Sequence, residues 1–141
     1  MVTVELERVQ MDFGFEVKND AGKMVQIDTS PEGGGHDFGV RPMQMLLMAV
    51  AGCSGIDVIS ILKKQRQEIT SYKMKVSGHR EHGKEPSLWK DVHIEFHIHG
   101  KVEQDKAQRA ADLSITKYCS VAETLRRAGA EITYEVFVTA E

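Results

Sequence analysis

The chain has 141 residues, of which 41 % are hydrophobic and 28 % charged, with a formal net charge of −3. That is the size and composition of one globular domain, here taken as residues 1–141, and it argues against disorder, a collagen-like fibre or a disulfide-rich scaffold. The small negative charge argues against nucleic acid or an anionic membrane as a partner held by bulk charge. No basic, apolar and small-residue leader opens the sequence and only two cysteines are present, so a cytoplasmic protein is the expectation.

The first elements are strands. Val2, Val4 and Leu6 alternate with Thr3, Glu5 and Glu7, and Phe13, Phe15 and Val17 alternate with Gly14 and Glu16. Asn19-Asp20-Ala21-Gly22 has turn chemistry, and Met24, Val25 and Ile27 follow it. The pattern predicts a three-stranded antiparallel meander. Residues 29–41 form a glycine-rich segment, Thr-Ser-Pro-Glu-Gly-Gly-Gly-His-Asp-Phe-Gly-Val-Arg, which lacks a phosphate-loop pattern and reads as a flexible connector.

A long helix is predicted from Pro42 to about Arg66. Proline suits the first helical position, and Lys63, Lys64 and Arg66 suit the negative end of the dipole. Between Met45 and Cys53 it is apolar nearly all round, so it is expected to be buried on every side, with help from a second subunit. Gln44, Ser54, Asp57 and Ser60 interrupt the apolar run, so a membrane span is not expected. Gly52 and Gly55 each weaken a helix by about 1 kcal/mol relative to alanine, and they suggest close approach by another backbone.

Two long strands, 70–80 and 88–99, come next. In the second, Val92, Ile94, Phe96 and Ile98 face one way and His93, Glu95, His97 and His99 the other. Residues 104–118 read as a helix, 121–128 as a short helix ending at Gly129, and 131–138 as a last strand. Grouped helices and dominant hairpins favour an α+β fold with antiparallel sheets.

The histidine ladder resembles a metal site in composition only. Side chains two apart on one strand rarely supply three converging ligands, and HExxH, CxxC and CxxH are all absent, so no metal and no cofactor are expected. Serine-hydrolase and papain-like signatures are absent too. The cysteines remain. Cys53 lies mid-helix among apolar residues, and the plain reading is an inert buried thiol. Cys119 falls at the start of the last helix, where free amides and the dipole are expected to lower its pKa. Two distant cysteines on separate helices could still meet and cycle between dithiol and disulfide.

Arg41-Pro42-Met43-Gln44-Met45-Leu46-Leu47-Met48-Ala49-Val50-Ala51-Gly52-Cys53 resembles the first-cysteine helix of the OsmC/Ohr family, and Lys117-Tyr118-Cys119-Ser120-Val121 resembles its second-cysteine segment. The resemblance covers essentially the whole chain. It implies an intertwined homodimer, with long helices packed centrally between sheets built by both chains. It also implies a thiol-dependent peroxidase for organic and possibly hydrogen peroxides, an oxidoreductase of the oxidative stress response. In that reading Cys53 becomes a sulfenic acid, Cys119 condenses with it, and a dithiol such as dihydrolipoamide reduces the disulfide.

Family peroxidases pair the reactive cysteine with an arginine and with a glutamate that follows the helix-opening proline. Met43 stands at that glutamate position here. Lys23 is the nearest basic residue by the N-terminal strands, but lysine does not reproduce a bidentate arginine clamp. Arg41 is a substitute, with Asp57, one turn beyond Cys53, as its anionic partner. The bland readings are a surface cation for Arg41 and a satisfied polar residue for Asp57. Met43, Met45 and Met48 suit a substrate's apolar tail or plain core filling. The alternative function is a protein of the same fold with little peroxidase activity, binding a small ligand or sensing redox state.

Overall fold

The structure is a computed structural model that describes residues 1–140. The chain divides into two compact units, the first Met1–Leu46 and the second from Leu47 onward.

The first unit is the expected meander. Strands β1 (Glu5–Gln10), β2 (Gly14–Lys18) and β3 (Met24–Ile27) pair antiparallel in the order β1-β2-β3. Asn19 closes the β2–β3 turn, its side-chain oxygen accepting from the amides of Ala21 and Lys23. Every residue of β1 is exposed, Leu6 and Val9 included.

The glycine-rich segment is no slack connector. Asp28 is buried, and its carboxylate accepts three backbone N–H groups: Thr29 at 2.7 Å, His36 at 2.8 Å and Phe38 at 3.2 Å. A single-turn 3-10 helix, Pro31–Gly33, is capped by the Ser30 hydroxyl. The glycines are required by closeness: a Cβ on Gly35 would overlap the Thr29 carbonyl, and one on Gly39 the Gln26 carbonyl. Composition signals chain freedom, but it does not reveal a carboxylate that gathers the freed amides.

Helix α1 runs from Pro42 to Lys64. Within the second unit it buries Val50, Ser54, Val58 and Leu62, one row at i, i+4 spacing. Burial on all sides is not achieved by one chain, because Leu46, Met48 and Ile56 are 40, 51 and 72 % exposed. By length and composition α1 is apolar enough to cross a membrane, with a mean hydropathy of 2.1 over its best 18-residue window. Inside the protein, Ser54 Oγ donates to the Val50 carbonyl at 2.6 Å. Close approach occurs at Gly55, where Met74 and Tyr72 side chains pack in. Gly52 has nothing within 4 Å of where its Cβ would be.

Strands β4 (Glu68–Arg80) and β5 (Trp89–Lys101) form a long antiparallel hairpin, and β6 (Glu131–Thr139) lies beside β5. The β5–β6 pair is parallel, with Asp91 opposite Glu131 and His99 opposite Thr139, so the sheet is mixed rather than wholly antiparallel. A parallel neighbour requires a crossover of a dozen or more residues. The chain supplies it with α2 (Gln104–Leu113), a π-helical turn (Ser114–Tyr118) and α3 (Ser120–Arg127). Val92, Ile94, Phe96 and Ile98 of β5 are fully buried with Val50, Val58 and Leu62 of α1 and Ala107, Ala110 and Ala111 of α2.

Candidate thiol–carboxylate site

Helix α1 carries Cys53 and, one turn on, Asp57, a spacing that puts both on one helical face. Cys119 arrives from the other side as the residue between the π-helical turn and α3. The turn is closed by Cys119 N–H donating to the Ser114 carbonyl at 2.7 Å, an i to i+5 bond. The extra residue in that turn places Cys119 at the N-cap of α3, where its sulfur accepts from the Ala122 amide at 3.4 Å. Arg126 fixes the segment by donating to the Ile115 carbonyl at 2.7 Å and pairing with Glu123.

Cys53 Sγ, a carboxylate oxygen of Asp57 and Cys119 Sγ all lie within 4.8 Å of one another. Both cysteines are reduced; Cys53 is half-buried and Cys119 only 3 % exposed. The other Asp57 interaction is with Ser114, whose buried hydroxyl donates to Oδ2 at 2.8 Å. Ser114 escaped sequence reasoning, since a serine inside a helical stretch signals nothing until the π turn aims it.

The expected acidification of Cys119 is overturned. Burial pushes its thiol up to about 11, against the lowering effect of the Ala122 amide. Its hydrogen bond with Cys53 and the negative charge of Asp57 push the same way. One amide at a helix N-cap does not outweigh removal from water next to an anion.

The remaining candidates are placed as follows. Lys23 is exposed, its backbone closing the β2–β3 turn. Arg41 is half-buried; its amide donates to Gln44 Oε1 at 3.1 Å, and its Nε is a buried donor without an acceptor among the described residues. Met43 and Met45 are half-buried and Met48 is exposed. The structure therefore brings together Cys53, Asp57 and Cys119. Lys23, Arg41, Met43 and Met45 belong to the first unit.

On the histidine face of β5, His93 and His97 have partners from the same sheet. His93 bonds Thr133 at 2.7 Å and Glu135 at 3.0 Å, while His97 bonds Glu95 at 2.9 Å and stacks on Phe137. The hydrogen bond from His97 holds the Glu95 carboxyl below its usual range.

Residues 33–135 match the family model described as OsmC-like protein. The Escherichia coli (strain K12) protein YhfA is 41 % identical over 110 residues, covering 77 % of this chain and 81 % of YhfA. A hypothetical protein from Aquifex aeolicus VF5, known from a crystal structure, superposes with a TM-score of 0.80 at 33 % identity, over 99 % of this chain and 98 % of that one. The organic hydroperoxide resistance protein OhrB of Bacillus subtilis shares the fold, with a TM-score of 0.67 at 16 % identity over 96 % and 97 % of the two chains.

Proposed function

The chain belongs to the OsmC-like family, and on that footing we propose that it is a thiol-dependent peroxidase of organic, and secondarily hydrogen, peroxides. The observation that carries the reading is the meeting of a half-exposed and a buried thiol, both within 4.8 Å of one carboxylate oxygen. The Cys53 thiolate attacks a peroxide oxygen; the S–O bond forms, the O–O bond breaks, and the alkoxide leaves with a proton as an alcohol. The Cys119 sulfur then attacks the sulfenic acid, forming the S–S bond and releasing water. Asp57 is the nearby oxygen base for the Cys119 proton. An external dithiol, dihydrolipoamide or similar, supplies two electrons to reopen the disulfide.

In this reading the whole chain acts as one domain, consistent with α1 and the family match both running across the division after Leu46. It works as an intertwined homodimer in the cytoplasm. Each unit leaves apolar side chains exposed, Leu6 and Val9 of β1 in the first and Met48 and Ile56 of α1 in the second, and these are residues a second copy would cover. Lys23 and Arg41 are the cations assigned to support Cys53, and Met43, Met45 and Met48 the apolar side chains assigned to the peroxide's tail. The test is mass spectrometry after one equivalent of cumene hydroperoxide. A Cys53–Cys119 disulfide supports the reading, and two free thiols after many minutes, beside an oxidised peroxidase control, overturn it.

A second reading is favoured by one feature. Methionine replaces the family glutamate at position 43, and Asp57 sets an anion beside Cys119, which disfavours its thiolate. A protein of this fold with slow peroxide chemistry, acting as a small-ligand binder or redox sensor, fits that feature. It would oxidise without sustained turnover when the dithiol is in excess.

A further inference from the structure

Cys53, Asp57 and Cys119 offer two sulfurs and one carboxylate oxygen converging from two segments, and this is the group among the described residues with that convergence. We propose that the reduced protein binds one zinc ion through Cys53 Sγ, Cys119 Sγ and Asp57. The proposal goes beyond the peroxidase reading and does not depend on it.

The first argument is distance. Zinc takes sulfur at about 2.3 Å and carboxylate oxygen at about 2.1 Å in a tetrahedron, so its ligand atoms stand roughly 3.5–3.8 Å apart. The three donors already lie within 4.8 Å of one another, so closing on an ion requires shifts of about 1 Å or less, within rotamer adjustment. The second argument is the donor set. Calcium and magnesium require oxygen ligands almost throughout, whereas two thiolates with one carboxylate suit a borderline-soft, tetrahedral, redox-inert ion.

The third argument is the surrounding shell. Ser114 Oγ donates to Asp57 Oδ2, which orients the carboxylate and still leaves it free lone pairs for the ion. The Ala122 amide points at Cys119 Sγ, a contact that a metal-bound thiolate retains. Cys53 is half-buried rather than sealed, so an ion has an entry path. Binding exchanges two thiol protons for one Zn²⁺, so charge balances without any change in oxidation state. Three protein ligands leave the fourth position open to water or a small ligand, as in zinc sites that are not purely structural. Both sulfurs are then occupied, so zinc would hold the thiols out of peroxide chemistry until it is removed.

The experiment uses untagged, fully reduced chain dialysed against zinc chloride and then against metal-free buffer, with metal content per chain measured. One zinc per chain is expected. Cobalt in place of zinc should give sulfur-to-metal charge-transfer absorption and the visible bands of a tetrahedral ion. Cys53→Ser and Cys119→Ser should each lose about half of that charge-transfer intensity, one thiolate of two. Ser114→Ala keeps all three ligands and should weaken zinc by about tenfold or more. His93→Ala with His97→Ala should leave zinc content unchanged. Absence of stoichiometric zinc, six-coordinate cobalt bands, or undiminished charge-transfer intensity in Cys53→Ser overturns the proposal. The Ser114 and histidine arms keep the test decisive if a cysteine variant fails to fold. Disulfide formation with peroxide is measured separately under chelator, so the fate of the zinc site and that of the peroxidase reading are read independently.

Discussion

Asp28 in the first unit is a buried carboxylate and Asp57 in the second a half-buried one, and the groups around them differ in kind. Asp28 collects three backbone amides from the loop it closes, so its lone pairs are committed to holding chain. Asp57 receives one hydroxyl, from Ser114, and otherwise looks onto two sulfurs. A carboxylate saturated with N–H donors is a structural device. One that faces thiols raises the buried Cys119 thiol and offers an oxygen to whatever approaches the pair. The difference separates a charge that stabilises from a charge that acts.

The largest effect belongs to the sulfurs at the acting end of that comparison. Cys53→Ser should reduce peroxide consumption to the uncatalysed rate, because a serine hydroxyl is not ionised at neutral pH. Cys119→Ser should leave the first oxidation intact but end turnover, with Cys53 trapped as sulfenic acid and then over-oxidised. Peroxide loss in solution, paired with mass spectrometry of Cys53, distinguishes the two variants. Equal loss of the first oxidation in both would dissolve the division of labour.

That outcome also measures how much of the site was legible in the residues. The alternation of Val92, Ile94, Phe96 and Ile98 specified the central strand and its buried face, and Pro42 marked the start of α1 while the cations Lys63, Lys64 and Arg66 marked its end to within two residues, because their chemistry is local. Three features were hidden because they depend on placement in space. The parallel seating of β6 depends on where the α2–α3 crossover returns. The contact of Ser114 with Asp57 depends on a π turn that adds one residue. The direction of the Cys119 shift depends on burial beside an anion, whereas the sequence showed only its helix N-terminus. The glycine-rich segment misled for a related reason, since the carboxylate that anchors it precedes the glycines.

The next effect is on the structural carboxylate. Amide hydrogen bonds, that of His36 foremost, hold the Asp28 carboxyl below its ordinary value of 3.8. A folded-state pKa below the unfolded one contributes stability that is fully present above about pH 4 and is lost as pH falls through the folded value. Asp28→Asn should therefore lower the melting temperature at pH 6, and the gap from wild type should close as pH falls below about 4. Thermal unfolding from pH 6 to pH 2 reads both. A gap that stays constant over that range would show that the amides do not favour the ionised form.

Ser114→Ala sharpens the comparison from the other side, since it leaves Asp57 with no hydroxyl donor. The cost in stability should be about 1 kcal/mol, a few degrees in melting temperature. The rate of Cys53–Cys119 closure under chelator should change as well, because the freed carboxylate is no longer oriented. Stopped-flow measurement of thiol loss checks this. A variant that melts early but closes its disulfide at the wild-type rate would make Ser114 a packing residue alone.

The smallest effect is at the rim of the Asp28 loop. His36 Nε2 lies 2.9 Å from Asp12 Oδ2, and this hydrogen bond raises the histidine above its ordinary 6.5. Both side chains are more than half exposed, so solvent screens the pair and its contribution is slight. The sign is opposite to that of Asp28. A raised histidine contributes stability that is fully present below about pH 6.5 and disappears as pH rises through the folded value. Asp12→Asn removes the anion while keeping the shape, so the wild type should exceed it in melting temperature at pH 5.5 and match it at pH 8.5. Added salt should shrink the difference at pH 5.5, because exposed ion pairs are screened. A difference that persists at pH 8.5 would place the role of Asp12 in its backbone, where φ of 71° already sets it apart, rather than in its charge.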